Sequence, residues 1–117
     1  MVFTTAGRNI VRDFLAGSDP TPPSHVAFGT GTTAPTISDT DVETEVTRIA
    51  FDTTSTANKE VTLSGTMGSA TGNGSTYTEV GTFNDAAAGT LFQRSTFNGI
   101  AKTAQLEIKF TLTVRIG

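Results

Sequence analysis

The sequence predicts a mainly β protein: a small antiparallel β-sandwich or jelly-roll-like domain with one N-terminal α-helix. Three observations predict it. The chain holds 24 threonines and 12 glycines; threonine is β-branched and favours extended backbone, and glycine interrupts such backbone at turns. From Leu106 to Ile116, apolar residues occupy the even positions and polar ones the odd. That period of two belongs to a strand with one dry and one wet face. The links between apolar runs are too short for the crossovers that parallel strands need, so the sheets should be antiparallel.

The helix is expected at about 5–16. Thr4 or Thr5 supplies a capping hydroxyl, and Ile10, Val11, Phe14 and Leu15 form one apolar stripe. Gly17 suits a left-handed C-terminal cap, and Pro20, Pro22 and Pro23 prevent continuation. With that stripe docked on a sheet, Phe14→Asp is expected to unfold or dissociate the protein, because it buries an unpaired charge.

The β body is expected at about 24–116. Residues 24–29 read as a short strand and residues 46–55 as another. In the next strand Val61, Leu63 and Met67 alternate with polar neighbours, and Gly65 takes the missing apolar slot. Residues 71–75 are a turn, and 75–83 a strand with a bulge expected at Gly81. Residues 90–97 are a further strand, and Asn98-Gly99 opens a turn running to 103. The alternating C-terminal segment is long enough to be a central strand. Residues 1–117 thus read as a single β-sandwich domain of about six strands.

Bulk properties exclude several classes. The net charge of −3 and pI near 4.9 argue against a nucleic-acid partner, which calls for a basic face. No apolar run approaches the ~20 residues of a membrane span, and the first residues lack the apolar centre of a secretory signal. Cysteine is absent, so disulfides and thiolate metal sites are excluded.

The stretch FGTGTTAPTISDTDVETEVTR, residues 28–48, carries the glycine pair of a phosphate loop and four alternating acids. A phosphate loop also needs a lysine after its glycines, and none occurs before Lys59. Asp39, Asp41, Glu43 and Glu45 are hard oxygen ligands and a candidate calcium site. Their spacing fails the helix-loop-helix pattern, with Thr44 at the sixth position and Ala50 at the twelfth. The competing reading caps a helical turn with Ser38 or Asp39 and places Glu45 beside Arg48. His25, the single histidine, has no cysteine to activate, and no G-x-S-x-G elbow occurs. No catalytic residue, cofactor or small-molecule substrate is expected.

Two segments resemble the opening and closing units of small tailed-phage virion proteins. TTAGRNIVRDFLAG followed by HVAFGTGTTAPTISDTDVETEVTR is similar to the N-terminal unit of phage tail fibre and collar proteins. Gly29 and Gly31 match its glycine pair, Pro35 its proline, and Asp39 and Thr40 its D-T. Val42, Glu45, Val46 and Arg48 match its turn. The ending LFQRSTFNGIAKTAQLEIKFTLTV is similar to the last strands of small virion proteins, through Leu91, Phe92, Arg94, Phe97, Lys102 and Thr103. In the fibre proteins this unit opens a much longer chain, so at this length the expectation is a compact component.

The resemblance implies a non-enzymatic structural component of a tailed-virus particle, a multimeric tail, neck or fibre adaptor. Its partners would be copies of itself and other virion proteins. It would assemble in the host cytoplasm and reside in the virion. A capsid decoration or turret protein is the first alternative. A receptor- or carbohydrate-binding β-sandwich module is the second.

Overall fold

A computed structural model describes residues 1–117. The elements run β1 (Val2–Phe3), α1 (Thr5–Leu15), β2 (His25–Gly29), β3 (Glu45–Ala50), β4 (Thr53–Ala57), β5 (Glu60–Met67), β6 (Thr76–Phe83), β7 (Leu91–Ala101) and β8 (Ile108–Arg115). They form two antiparallel sheets, a large one of order β1-β7-β6-β2-β3 and a small one of order β4-β5-β8. The expected two-layered, mainly β body with one N-terminal helix is therefore present.

The sheets meet over two apolar clusters. Val26, Phe28, Tyr77 and Val80 of the large sheet pack on Met67 and Ile108 of the small one. Ile10 of the helix joins Phe92, Leu63 and Leu112 in the second cluster. Each such buried side chain contributes about 1.5–3 kcal/mol. Gly65 does fill the vacant slot in β5: a Cβ there would stand 2.8 Å from Val26 Cγ1, so its absence lets the sheets close.

Thr4 caps the helix. Its Oγ1 accepts from the Gly7 amide at 3.0 Å and donates to the Leu91 carbonyl at 2.6 Å, so one hydroxyl both caps the helix and ties it to β7. At the other end, the amides of Gly17 and Ser18 donate to the carbonyls of Phe14 and Asp13 at 3.1 and 2.9 Å. This is the Schellman pattern, with Gly17 at φ +75°.

Several expectations are corrected. The apolar stripe is not docked as a whole. Ile10 is buried, but Val11, Phe14 and Leu15 are 38, 46 and 86% exposed. The helix meets β7 through its small residue, because Gly7 lies against the Phe92 carbonyl where any Cβ would collide. The close approach seats only Ile10.

The strand expected at 46–55 is two strands in different sheets. The Phe51 amide donates to Ser24 at 2.9 Å, whereas the next amide, of Asp52, donates to Ser64 at 2.8 Å. The chain changes sheet between adjacent residues. The turn expected at 98–103 is also displaced. β7 runs on to Ala101, and Phe97, Asn98 and Gly99 stand opposite Thr78 alone. The Asn-Gly pair is absorbed as a bulge, and the chain turns after Lys102.

No bulge lies at Gly81; the register of β6 shifts between Tyr77 and Glu79 and between Thr82 and Phe83. Finally, β8 is an edge strand and β5 the centre of its sheet. The even residues do face inward from Ile108 to Val114, but Leu106 precedes the strand and Ile116 is 65% exposed.

Candidate functional site

The large sheet is covered on both faces. Alternation along β2 sends Val26 and Phe28 toward the small sheet and Ala27 and Gly29 to the outer face. There the loop 30–44 lies across the strands as a strap. Val42 packs with Ala27, Phe83 and Leu91 beneath it. Gly81 makes room for this plug, since a Cβ would stand 2.7 Å from Val42 Cγ1.

One carboxylate anchors both ends of the strap. Glu79, on β6, is fully buried. Its Oε2 accepts from the amides of Gly31 and Thr44, both at 2.7 Å. Its Oε1 accepts from the Glu43 amide at 2.8 Å and from Arg94 Nε at 2.9 Å. Four donors occupy the two oxygens. Arg94, on the neighbouring β7, also reaches Asp39 Oδ2 from Nη1 at 3.2 Å. Asp39 in turn accepts from the Thr36 amide and hydroxyl at 3.0 and 2.9 Å.

The glycine pair follows from this geometry. A Cβ on Gly29 would lie 2.6 Å from Glu79 Oε2, and one on Gly31 would collide with the same oxygen. The loop does present amides to anions, as a phosphate loop would, but the anions are the protein's own. Gly31 serves Glu79, while the Thr32 and Thr33 amides donate to Glu43 Oε1 at 2.8 and 3.3 Å.

All three carboxyls sit below their ordinary values. Burial pushes Glu79 up, but hydrogen bonds from the Thr44 and Glu43 amides, Arg94 and the Gly31 amide outweigh it. Burial likewise raises Asp39 and is outweighed by the two bonds from Thr36 and by Arg94. The Thr33 hydroxyl, then the Thr32 and Thr33 amides, lower Glu43. A carboxylate held ionised by saturated hydrogen bonds is suited to fixing backbone, not to exchanging protons.

The calcium candidates do not converge. Asp39 turns to Arg94, Asp41 accepts from the Val42 amide, Glu43 serves residues 32–33 and Glu45 pairs with Arg48. No three His, Cys, Asp or Glu side chains gather in metal-binding geometry. The Glu45–Arg48 neighbourhood is as expected: Nη2 and Nε meet the carboxylate at 2.6 and 3.0 Å. Arg48 also lies 3.9 Å over the Phe83 ring and donates to the carbonyls of Asp85 and Ala88, fastening the 84–89 loop.

Lys102 is buried just past the end of β7. Its Nζ donates to Asn73 Oδ1 at 2.7 Å and to the Thr103 carbonyl at 3.0 Å, joining the 71–75 turn to the β7–β8 turn. Pro35 is half-buried and Thr40 exposed, both within the strap. His25 opens β2 and meets Ser24 Oγ at 2.8 Å.

Sequence reasoning found Gly29, Gly31, Asp39 and Arg94 and missed Glu79, against which the two glycines and Arg94 lie and to which Asp39 is linked through Arg94. One signal was available: Glu79 is an acid inside a strand of otherwise uncharged residues, TYTEVGTF.

Fold and site together define a two-sheet antiparallel β domain whose outer face is closed by a strap on a buried ion pair. No protein-family model matches the chain, and no curated protein shows significant similarity to it.

Proposed function

We propose that this protein is a non-enzymatic structural component of a tailed-virus particle, a multimeric adaptor of the tail, neck or fibre. One observation carries the reading. Gly29, Gly31 and Asp39, which match the fibre and collar unit, and Arg94, which matches the closing strands of small virion proteins, belong to one network. The two glycines and Arg94 lie against the buried Glu79 carboxylate, and Asp39 joins it through Arg94. The shared pattern therefore coincides with the physical requirements of one strap.

The surface supports assembly as the task. Val11, Phe14 and Leu15 leave an apolar helix face in water beside Pro22, Pro23 and Ile116. A ring or stack of copies, or another virion protein, would cover such a face. Repetition makes many weak contacts strong together.

The experiment is mass spectrometry of purified particles, followed by labelling of the protein in electron micrographs. The expected result is a fixed copy number at the tail, neck or fibre base. Label spread over the capsid surface would select the decoration or turret reading instead. Absence from particles would overturn the proposal.

A further inference from the structure

The two sheets expose four edges, and three are blunted or featureless. β1 has two residues, and the stretch of β7 that runs past it, from Ser95 to Ala101, is broken by the bulge at 97–99. β3 carries an extra residue, Val46, in its register with β2, and an irregular edge resists pairing. β4 is Thr-Thr-Ser-Thr-Ala, with no charged side chain to select a register. β8 differs from all of them. It has eight residues, no proline and an unbroken register with β5 from Ile108 to Arg115. Its other side has no strand. An open regular edge presents a row of free backbone donors and acceptors to another strand.

We propose that β8 pairs with β8 of a second copy of this chain about a two-fold axis through Thr111. Charge and hydrophobicity select that register. A strand pairing with its own copy must keep apolar residues beside apolar ones, or every side chain lands on the wrong face. Two registers do so with near-full overlap. Centring on Leu112 sets Lys109 against the partner's Arg115, and like charges directly opposite are unfavourable.

Centring on Thr111 removes that conflict. Arg115 stands opposite the partner's Glu107, and Lys109 opposite the partner's Thr113. On the apolar face, Phe110 meets the partner's Leu112 and Ile108 the partner's Val114. Leu106 meets the partner's Ile116, so side chains that are 37 and 65% exposed cover each other. Arg115 already reaches Glu60 on the adjacent strand at 3.3 Å, so each arginine would lie between two acids. The result is a continuous six-stranded sheet and an isologous dimer.

Pairing through this edge is independent of the particle reading, since it rests on the strand alone. Particles lacking the protein would sink that reading and leave the dimer measurable.

The test uses the full chain, which has no cysteine. Light scattering should give twice the 12.2 kDa of one chain. Under mild oxidation Thr111→Cys should form a covalent dimer, because each sulfur meets its own copy on the axis. Thr113→Cys, opposite the partner's Lys109, should not. Arg115→Glu should weaken dimerisation roughly ten-fold, since two symmetric sites change from attraction to repulsion. Adding Glu107→Arg to it should restore pairing, with circular dichroism showing that each variant is folded. A monomer at every concentration, crosslinking through position 113 as fast as through 111, or no rescue by the charge swap would overturn the proposal.

Discussion

Glu79 Oε1 lies 2.9 Å from Arg94 Nε on the neighbouring strand, with both side chains sealed from water. The pair is diagonal in the sheet, because Glu79 stands opposite Thr96 and Arg94 opposite Gly81. Its energetic meaning lies in what it holds. A buried ion pair gives little net stability against an apolar replacement, yet removing one partner strands the other. Here that partner and three backbone amides would all lose their acceptor.

Glu79→Gln is therefore expected to cost about 3 kcal/mol, the low end of the range for removing one partner of a buried pair, because Asp39 still faces Arg94. Urea unfolding measures it. Hydrogen exchange should show the amides of Gly31, Glu43 and Thr44 losing protection first. Loss of protection spread evenly through both sheets would contradict a strap held by this carboxylate.

Gly31→Ala should destabilise by about 1–3 kcal/mol through overpacking against Glu79 and Glu43. Gly68→Ala is the control, because the nearest atom to its Cβ, on Glu107, would be 3.8 Å away. It should stay within about 0.5 kcal/mol of the parent. Thermal unfolding of the two variants side by side decides the point.

Acid should loosen the strap. The Glu79 carboxyl titrates lower in the folded protein than its ordinary 4.5, and Asp39 lower than its ordinary 3.8. A depressed carboxyl stabilises fully above its ordinary value, and that contribution is lost as the pH falls through the folded one. Stability should be level from neutrality to roughly pH 5 in this respect and fall below it. Urea midpoints across that range measure the slope, and Glu79→Gln should flatten it.

The helix lets folding and the proposed assembly be tested apart. Ile10→Ala should cost about 2–4 kcal/mol, as its side chain fills the cluster with Phe92, Leu63 and Leu112. Phe14→Asp, by contrast, should melt within a few degrees of the parent, because Phe14 is 46% exposed and its replacement keeps its water. The same variant should fail to incorporate into particles if the exposed helix face is an assembly surface. Unfolding of Phe14→Asp would show that the ring is held more tightly than its exposure implies.

Composition and period were enough to set the class of this domain. Threonine content, glycine-punctuated turns, the capped helix at its N-terminal end and the even-numbered face of the last strand are local properties, and local sterics and side-chain alternation decide them. The same holds for Glu45 and Arg48, three residues apart.

Partnerships between distant residues were settled elsewhere. Residues 46–55 carry one extended pattern, and only the competing hydrogen bonds of Ser24 and Ser64 divide it between sheets. Asn98-Gly99 has the chemistry of a turn, but β6 and β7 pair on both sides of it and hold it as a bulge. The alternation of residues 106–116 reports which face is dry and carries no information about which strands lie beside it. Glu79 has no partner within reach along the chain. Its role exists only where the sheet brings Arg94 alongside and the strap brings three amides down, because burying a charge is tolerable only when distant groups arrive to satisfy it.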